Sequence, residues 1–386
     1  LVKKFYFFLN YIQRLIQKMK WISNDDTIIF DPEFNEKLDI ELISGYKILI
    51  FSDYELNEKL FELYASRFNK DISNLPQNFN NLKFNASRFN RDISNLPQNL
   101  IYLSLGWLFN QDVSVLPPFI TYLELGEYFN QDVSNLPSSI THLTFGNSFN
   151  KDVSALPLSL TYLYFGYSFD KNVSNLPSSL TYLTFGIYFN QDVNSLPSSL
   201  THLTFGSYFN QDVSRLPQGI THLIFGWKFN QNVKSLPSSL IQLTFGLNFN
   251  QDVKSLPPSL THLEFGYNFN KEYNIPPNIE YLKLDCNNSY LINSLPNSII
   301  ELEFGDNFNS QIDNLPTSIK ILKFSKISGL FNNDLNCLPD SIEELHLGFN
   351  YTKRLMRIPS NLKKIICYKD YPHKNDFEMC DVEIYI

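Results

Sequence analysis

Apolar and polar residues alternate over short stretches of this chain, and the same stretch recurs at a fixed spacing. In the segment 140–159, the apolar Leu143 and Phe145 alternate with the polar His142 and Thr144. Alternation with a period of two is typical of a β-strand that buries one face. No part of the segment has the spacing of a helix of useful length. The pattern therefore predicts one short strand in each repeat.

Glycine and proline mark where each predicted strand ends and where the chain returns. Gly146 directly follows the alternating stretch, and because glycine has no Cβ atom we expect a sharp bend there. Pro157 has no backbone N–H and would interrupt a helix or a central strand. We therefore expect Leu156-Pro157 to lie in an extended return segment.

The Leu-Pro pair and the Phe-Asn pair both recur every twenty residues. The regularly spaced prolines are Pro97, Pro117, Pro137, Pro157, Pro177, Pro197, Pro217, Pro237 and Pro257. A fixed period of this length is the signature of a solenoid, in which neighbouring repeats share one core. We predict a mainly β solenoid of about 20-residue repeats with a continuous parallel sheet, whose strands are about 4.8 Å apart.

Stacking the repeats places equivalent residues in columns. The Phe of each Phe-Asn pair, from Phe109 to Phe269, is expected to form an interior aromatic spine. The Asn column is expected to bond turn backbone of its own or the next repeat. We predict a structural ladder from Asn110, Asn130, Asn150, Asn190, Asn210, Asn230 and Asn250, with Asp170 replacing one member.

The repeat unit resembles the FNIP repeat, a relative of the leucine-rich repeats. In one unit the resemblance is carried by Ser138, Ile140, Leu143, Phe145, Gly146, Phe149, Asn150, Val153 and Leu156-Pro157. The tetrapeptide Phe-Asn-Ile-Pro itself is absent, and Phe-Asn-Gln-Asp takes its place. The resemblance implies a leucine-rich-repeat-like parallel-sheet solenoid used for protein–protein interaction, and it implies no catalytic residues.

The regular pattern fades towards both ends, and this divides the chain into four segments. Residues 68–366 form the FNIP-type solenoid, residues 34–67 degenerate capping repeats, and residues 367–386 a C-terminal cap. Ile48, Leu49 and Phe51 are expected to form an early strand, and Leu362, Ile365 and Ile366 the last repeat. Residues 1–33 are expected to hold a short amphipathic helix or cap, with its apolar face at Phe8, Ile12, Leu15, Ile16 and Met19.

Charge and cysteine content narrow the classes of partner. The net charge of −8 and the pI of about 5.3 argue against nucleic acid, because phosphate binding needs a basic surface. The four cysteines form no Cys-x-x-Cys pair, which favours free thiols in a reducing, intracellular compartment, and we expect the cytoplasm. Because the predicted N-terminal helix is basic and amphipathic, contact with a membrane is a less favoured alternative.

Outward-facing positions of the predicted strands vary most and are the candidate binding residues. Two columns contain many aromatic side chains, which are typical interface anchors. The residues concerned are Tyr102, Trp107, Tyr122, His142, Tyr162, Tyr164, Tyr167, Tyr182, His202, His222, Trp227, His262 and Tyr267. If the strands line a concave side, as in leucine-rich repeats, these residues face a partner. The alternative is that the stacked rings only cover the sheet.

Two other columns suggest metal chemistry, and both have a simpler interpretation. His202 and His222 occupy adjacent repeats, but no carboxylate or cysteine is fixed beside them, so we predict no metal site. The aspartates Asp112, Asp132, Asp152, Asp192, Asp212 and Asp252 are followed by Val-Ser in several repeats. This pattern favours side chains that cap their own turns over calcium ligands.

The sequence predicts a non-enzymatic scaffold that binds a protein partner on its strand face. It has no Gly-rich phosphate loop and no His-Glu-x-x-His or Gly-x-Ser-x-Gly motif, and we predict no cofactor. Two alternatives stay open. A substrate-recognition subunit of a ubiquitin ligase would be consistent with the family, although only one helix is expected in the stretch before Phe34. A glycan-binding surface would use the same Tyr and Trp columns.

Overall fold

The computed structural model describes residues 21–31, 34–51, 67–85, 88–377 and 380–385. By their contacts the residues divide into two compact units, residues 1–189 and 190–386. The predicted N-terminal helix and residues 52–66 of the predicted capping repeats lie outside the described residues. Within the described ranges, no helix has the length and apolar character needed to cross a bilayer.

The first unit is a ladder of short strands joined by turns. Its strands β1 to β9 are Trp21–Ser23, Thr27–Phe30, Ile48–Phe51, Asn81–Phe84, Tyr102–Ser104, Tyr122–Glu124, His142–Thr144, Tyr162–Tyr164 and Tyr182–Thr184. β1 pairs with β2 antiparallel, and from β2 to β9 each strand pairs in parallel with the next. The register is uniform, because Leu123, Leu143 and Leu163 stand beside one another.

The second unit repeats this architecture. Its strands β10 to β19 are His202–Thr204, His222–Ile224, Gln242–Thr244, His262–Phe265, Tyr281–Leu284, Glu301–Phe304, Ile321–Phe324, Glu344–His346, Lys364–Tyr368 and Asp381–Tyr385. All pair in parallel with their successors. The prediction of a mainly β solenoid with about 20-residue repeats is confirmed.

Helical structure within the described ranges is limited to three short segments. Helix α1, Ile40–Ile43, begins at Asp39, whose carboxylate accepts hydrogen bonds from the backbone of Glu41 and Leu42. Helix α2, Ser289–Asn293, is capped by the side chain of Asn288. A single 3₁₀ turn covers Lys374–Asp376. These elements lie between strands and leave the sheet uninterrupted.

The core contains two interleaved columns of phenylalanine rings. In the first unit, Phe149 stacks on the Phe129 and Phe169 rings of the neighbouring repeats, with 6.1 Å between the ring centroids in each pair. A second ring from its own repeat, Phe145, lies only 3.7 Å away. All of these side chains are inaccessible to solvent. The spine predicted from the Phe-Asn spacing is therefore present, and it is thicker than one column.

The ends of the strand ladder differ in part from the sequence-based expectation. β3 is the early strand predicted at Ile48–Phe51, but β1 and β2 precede it and were not predicted. The expectation that Ile365 and Ile366 form the last repeat is wrong, because β19 pairs in parallel with their strand. Neither end contains the Leu-Pro pair. The strands there pair through backbone hydrogen bonds, which the twenty-residue period of the side chains does not predict.

The return segment and the glycines also differ in detail from expectation. Leu156-Pro157 lies between two turns and forms no strand, and the carbonyl of Pro157 accepts a hydrogen bond from the N–H of Leu160 at 3.1 Å. At Gly146 a Cβ atom would lie 2.2 Å from the carbonyl oxygen of Gly126. The glycine is therefore required by the close approach of two repeats, in addition to any bend.

Candidate binding face

Each repeat presents three outward positions on the side of the sheet that we call the strand face. In the repeat that contains β7 these are His142 and Thr144 of the strand and Asn147, just after Gly146. We name the corresponding columns the strand column, the middle column and the post-glycine column. The register places His142 between Tyr122 and Tyr162, and Thr144 between Glu124 and Tyr164. Side chains of one column therefore stand about one strand spacing apart.

Rings of the strand column stack along the first unit. The centroid of the His142 ring is 4.0 Å from that of Tyr122 and 5.6 Å from that of Tyr162. Burial among these rings lowers the pKa of the His142 imidazole, because the charged form loses hydration. A ring inside the column, such as His142, therefore has a neighbouring ring against each of its faces. The column is thus a continuous strip of stacked rings.

The candidate residues of the first unit lie together on this face, and several are substantially exposed. Trp107, Tyr122, Tyr167 and Tyr182 each keep between 42 and 48% of their surface accessible. Tyr102, His142, Tyr162 and Tyr164 are half-buried. Large rings that remain this accessible beside a fully buried core are available for contact with another molecule.

The second unit presents the remaining candidates in the same arrangement. The imidazoles of His202 and His222 stack with 4.2 Å between their centroids. Burial, and then the charge of His222, lower the pKa of His202. In the post-glycine column Trp227 is 67% exposed and Tyr267 is 48% exposed, and His262 is also exposed. Within the described ranges, no three His, Cys, Asp or Glu side chains are placed to hold a metal ion.

The Asn column links consecutive repeats through their backbones. The Oδ1 atom of Asn110 accepts a hydrogen bond from the backbone N–H of Asn130 at 2.9 Å, and Asn130 does the same for Asn150 at 3.0 Å. In the second unit the Asn190, Asn210, Asn230 and Asn250 side chains each accept from the next repeat in this way. The partner is always the next repeat, so the column joins repeats and does not cap its own turn.

The FNIP Repeat model matches nine segments, most of them overlapping, that together cover residues 89–326. These segments contain the Phe spine, the Asn column and most of the candidate binding face. They account for more than half of the chain. The chain belongs to the FNIP repeat family.

Solved structures place these FNIP repeats among leucine-rich-repeat proteins. CroV588, described as a novel circular LRR protein, aligns at 30% identity over 95% of this chain and 70% of that protein, with a TM-score of 0.61. YopM from Yersinia pestis, a leucine-rich effector protein, aligns at 20% identity over 81% of this chain and 84% of its own, with a TM-score of 0.47.

InlJ from Listeria monocytogenes aligns at 17% identity over 71% of this chain and 72% of its own, with a TM-score of 0.46. No curated protein shows significant similarity to the chain. The alignment with CroV588 confirms the predicted leucine-rich-repeat-like fold.

The Asp column of the FNIP repeats caps turns. Asp132 accepts two hydrogen bonds from Ser134, one from the backbone N–H at 3.2 Å and one from the hydroxyl at 2.5 Å. Asn172 and Asn232 replace the aspartate in two repeats and accept the equivalent backbone bond. The carboxylates therefore accept hydrogen bonds within their own turns, which agrees with the interpretation that they cap these turns.

These caps predict a loss of stability in acid. The bonds from serine lower the pKa of Asp112, Asp132 and Asp152 below 3.8, first through the hydroxyl and then through the backbone N–H. A depressed folded-state pKa contributes stability that is complete above the unfolded pKa and is lost as pH falls through the folded pKa. We expect the melting temperature to decline as the pH falls below about 4.

A variant with Ser114→Ala, Ser134→Ala and Ser154→Ala removes the hydroxyl donors of three adjacent caps. Its melting temperature should be lower than that of the unmodified chain at pH 6, and the difference should shrink at pH 2.5, where the carboxylates are protonated. Replacing three exposed serines that cap nothing, Ser138, Ser178 and Ser198, provides the control. An equal difference at both pH values would contradict the proposed linkage.

Apart from Tyr164, the residues of the middle column were not recognised in the sequence as part of the site. In the first unit it holds Ser104, Glu124, Thr144 and Tyr164. In the second unit its Lys283 and Glu303 form an ion pair at 2.5 Å, and its Lys323 pairs at 2.5 Å with Glu301 of the strand column. The sequence did contain a usable signal, because comparing residues one repeat apart shows whether an acidic side chain has a basic neighbour in the next repeat.

Proposed function

We propose that this chain is a non-enzymatic interaction scaffold whose strand face binds a protein partner. The observation that supports the proposal most directly is that each unit exposes large aromatic side chains on its strand face. Trp107, Tyr167 and Trp227 keep 44, 48 and 67% of their surface accessible. Tryptophan and tyrosine are enriched among the residues that contribute most to protein–protein affinity.

The fold supports the same proposal. The leucine-rich-repeat-like fold commonly mediates protein–protein interaction, and repeat scaffolds of this type are typically non-enzymatic. The core columns repeat almost without change, whereas the post-glycine column reads Trp107, Glu127, Asn147, Tyr167 and Ile187 in consecutive repeats. Variation confined to exposed positions is what a surface selective for one partner requires.

The proposal is tested with two variants of the full chain. The first combines Trp107→Ser, Tyr167→Ser and Trp227→Ser on the strand face. The second combines Phe119→Ser, Leu158→Ser and Met356→Ser, which are 61, 80 and 77% exposed and lie outside the strands. Both variants are purified, checked by circular dichroism, and used with the unmodified chain for quantitative affinity purification.

We expect at least one protein to be recovered by the unmodified chain and the control variant but not by the strand-face variant. Loss of aromatic anchors that contribute about 2 kcal/mol or more each weakens binding by about 30-fold or more per residue. An identical set of recovered proteins for all three chains, with folding intact, would contradict the proposal.

A further inference from the structure

A groove runs along the strand face of the first unit, between the middle and post-glycine columns. It has a volume of about 470 Å³ and extends over five consecutive repeats, from Phe84 to Tyr167. Its floor is formed by Gly106, Gly126 and Gly146, whose backbones approach so closely that no side chain fits between them. The absence of side chains along the floor makes the groove continuous.

Two carboxylates of one repeat line the groove. Glu124 belongs to the middle column and Glu127 to the post-glycine column, and both line the groove. Each has a neutral donor: the Tyr102 hydroxyl for Glu124 and the Asn147 side-chain amide for Glu127. Among the described residues neither forms a salt bridge, so two negative charges lie side by side without a cation.

The basic side chains of strands β4 to β9 form no ion pair with Glu124 or Glu127 among the described residues. Lys83 lies at the start of the middle column, but its ammonium sits over the Tyr102 ring, 4.5 Å from the centroid. His142 is the other basic side chain of strands β4 to β9, and burial lowers its pKa. The local charge around Glu124 and Glu127 is therefore negative at neutral pH.

Aromatic rings stand on either side of the two carboxylates. Trp107 lies one repeat before them and Tyr167 two repeats after them, both in the post-glycine column and both lining the groove. A guanidinium group is suited to this setting, because it binds carboxylates through parallel hydrogen bonds and stacks on aromatic faces. A neutral ligand such as a sugar would leave both carboxylates without a counter-charge.

We infer that this groove binds an extended peptide segment of a partner protein and places an arginine side chain between Glu124 and Glu127. The inference rests on the proposed function and names the chemistry of the partner. Four strand spacings of about 4.8 Å give a groove about 19 Å long, which accommodates about six residues of extended chain. The two carboxylates lie near its middle, so the arginine occupies a central position of that segment.

Capped hexapeptide libraries provide the probe. One library carries arginine at the third position, a second carries citrulline, which has nearly the same shape without the charge, and a third carries glutamate. All other positions are randomised among residues other than cysteine. The purified full-length chain is immobilised, and the peptides retained from each library are quantified by mass spectrometry. The most enriched peptide is then synthesised for calorimetric titration.

We expect the arginine library to be enriched at least tenfold over the citrulline and glutamate libraries. The double variant Glu124→Gln/Glu127→Gln should weaken the selected peptide at least tenfold, since glutamine keeps the shape and the accepting oxygen but removes the charge. Glu272→Gln, at an exposed site in the second unit, should leave binding within twofold. Equal enrichment of arginine and citrulline, or unchanged binding by the double variant, would overturn the inference.

Two further outcomes separate this inference from the proposed function. If the double glutamine variant still recovers a protein that the strand-face variant loses, the face binds protein but not through arginine, and only the inference fails. If no peptide is enriched while an oligosaccharide binds the unmodified chain and not the strand-face variant, the inference fails and the groove binds glycans instead.

Discussion

The Phe229→Ala variant is expected to lose about 3–5 kcal/mol of unfolding free energy, the usual cost of truncating a buried phenylalanine. The Phe229 ring is inaccessible to solvent and lies 3.7 Å from Phe225. It also stacks between Phe209 and Phe249, at 6.1 and 6.0 Å. Removing it leaves a cavity that both adjacent repeats line and that neither can fill, because their own rings are fixed by the next repeats.

Urea unfolding followed by tryptophan fluorescence measures this loss, since Trp227 lies two residues away and reports on the same repeat. Ile327→Ala is the matched control, because its side chain is 82% exposed, and substitutions at such sites usually change stability by no more than about 0.5 kcal/mol. If Phe229→Ala unfolds at the same urea concentration as the control, the ring column does not support the second unit in the way described.

The Gly226→Ala variant is expected to cost at least about 2 kcal/mol, although it adds only one methyl group. A Cβ atom at this position would lie 2.1 Å from the carbonyl oxygen of Gly206 and 2.8 Å from the Cα atom of Ser207. Both atoms belong to the backbone of the preceding repeat, so relief requires two repeats to move apart. Such a movement also stretches the strand and Asn hydrogen bonds that join them.

Gly219 offers an internal comparison. A Cβ atom there would lie 3.4 Å from the nearest atom, the carbonyl oxygen of Ser198, and equivalent positions of other repeats carry serine, as at Ser199 and Ser239. Gly219→Ala should therefore leave stability unchanged or raise it by about 0.4–1 kcal/mol, through the less flexible unfolded chain. Equal unfolding midpoints for Gly219→Ala and Gly226→Ala would contradict the close-approach explanation.

Much of the fold follows from the sequence because each repeat position has one physical task. The alternation around Leu143 and the regular return of Phe149 assign inward positions without ambiguity, since a shift by one residue would expose every apolar side chain. The role of Gly146 was only partly predictable, because a bend and a close approach both select glycine. Distinguishing them requires the position of the preceding repeat.

The ends of the chain and the groove were harder to predict. β1, β2 and β19 lack the Leu-Pro pair. They pair through backbone hydrogen bonds, which the spacing of side chains in the sequence does not predict. In the middle column Glu124 and Glu303 are the same residue type, but Ser104 precedes the first by one repeat and Lys283 precedes the second. Only a comparison of adjacent repeats shows that one carboxylate has a cation and the other has none.

The direction of the Asn column has a consequence for how such a chain changes in length. The hydrogen bonds of Asn130 do not depend on its place in the series. Its Oδ1 atom accepts from the N–H of Asn150, and its own N–H donates to the Oδ1 atom of Asn110. A tandem duplication or deletion of twenty residues in phase therefore restores every donor and acceptor at the junction. The number of regular repeats can therefore change by whole units without leaving an unpaired amide in the Asn column.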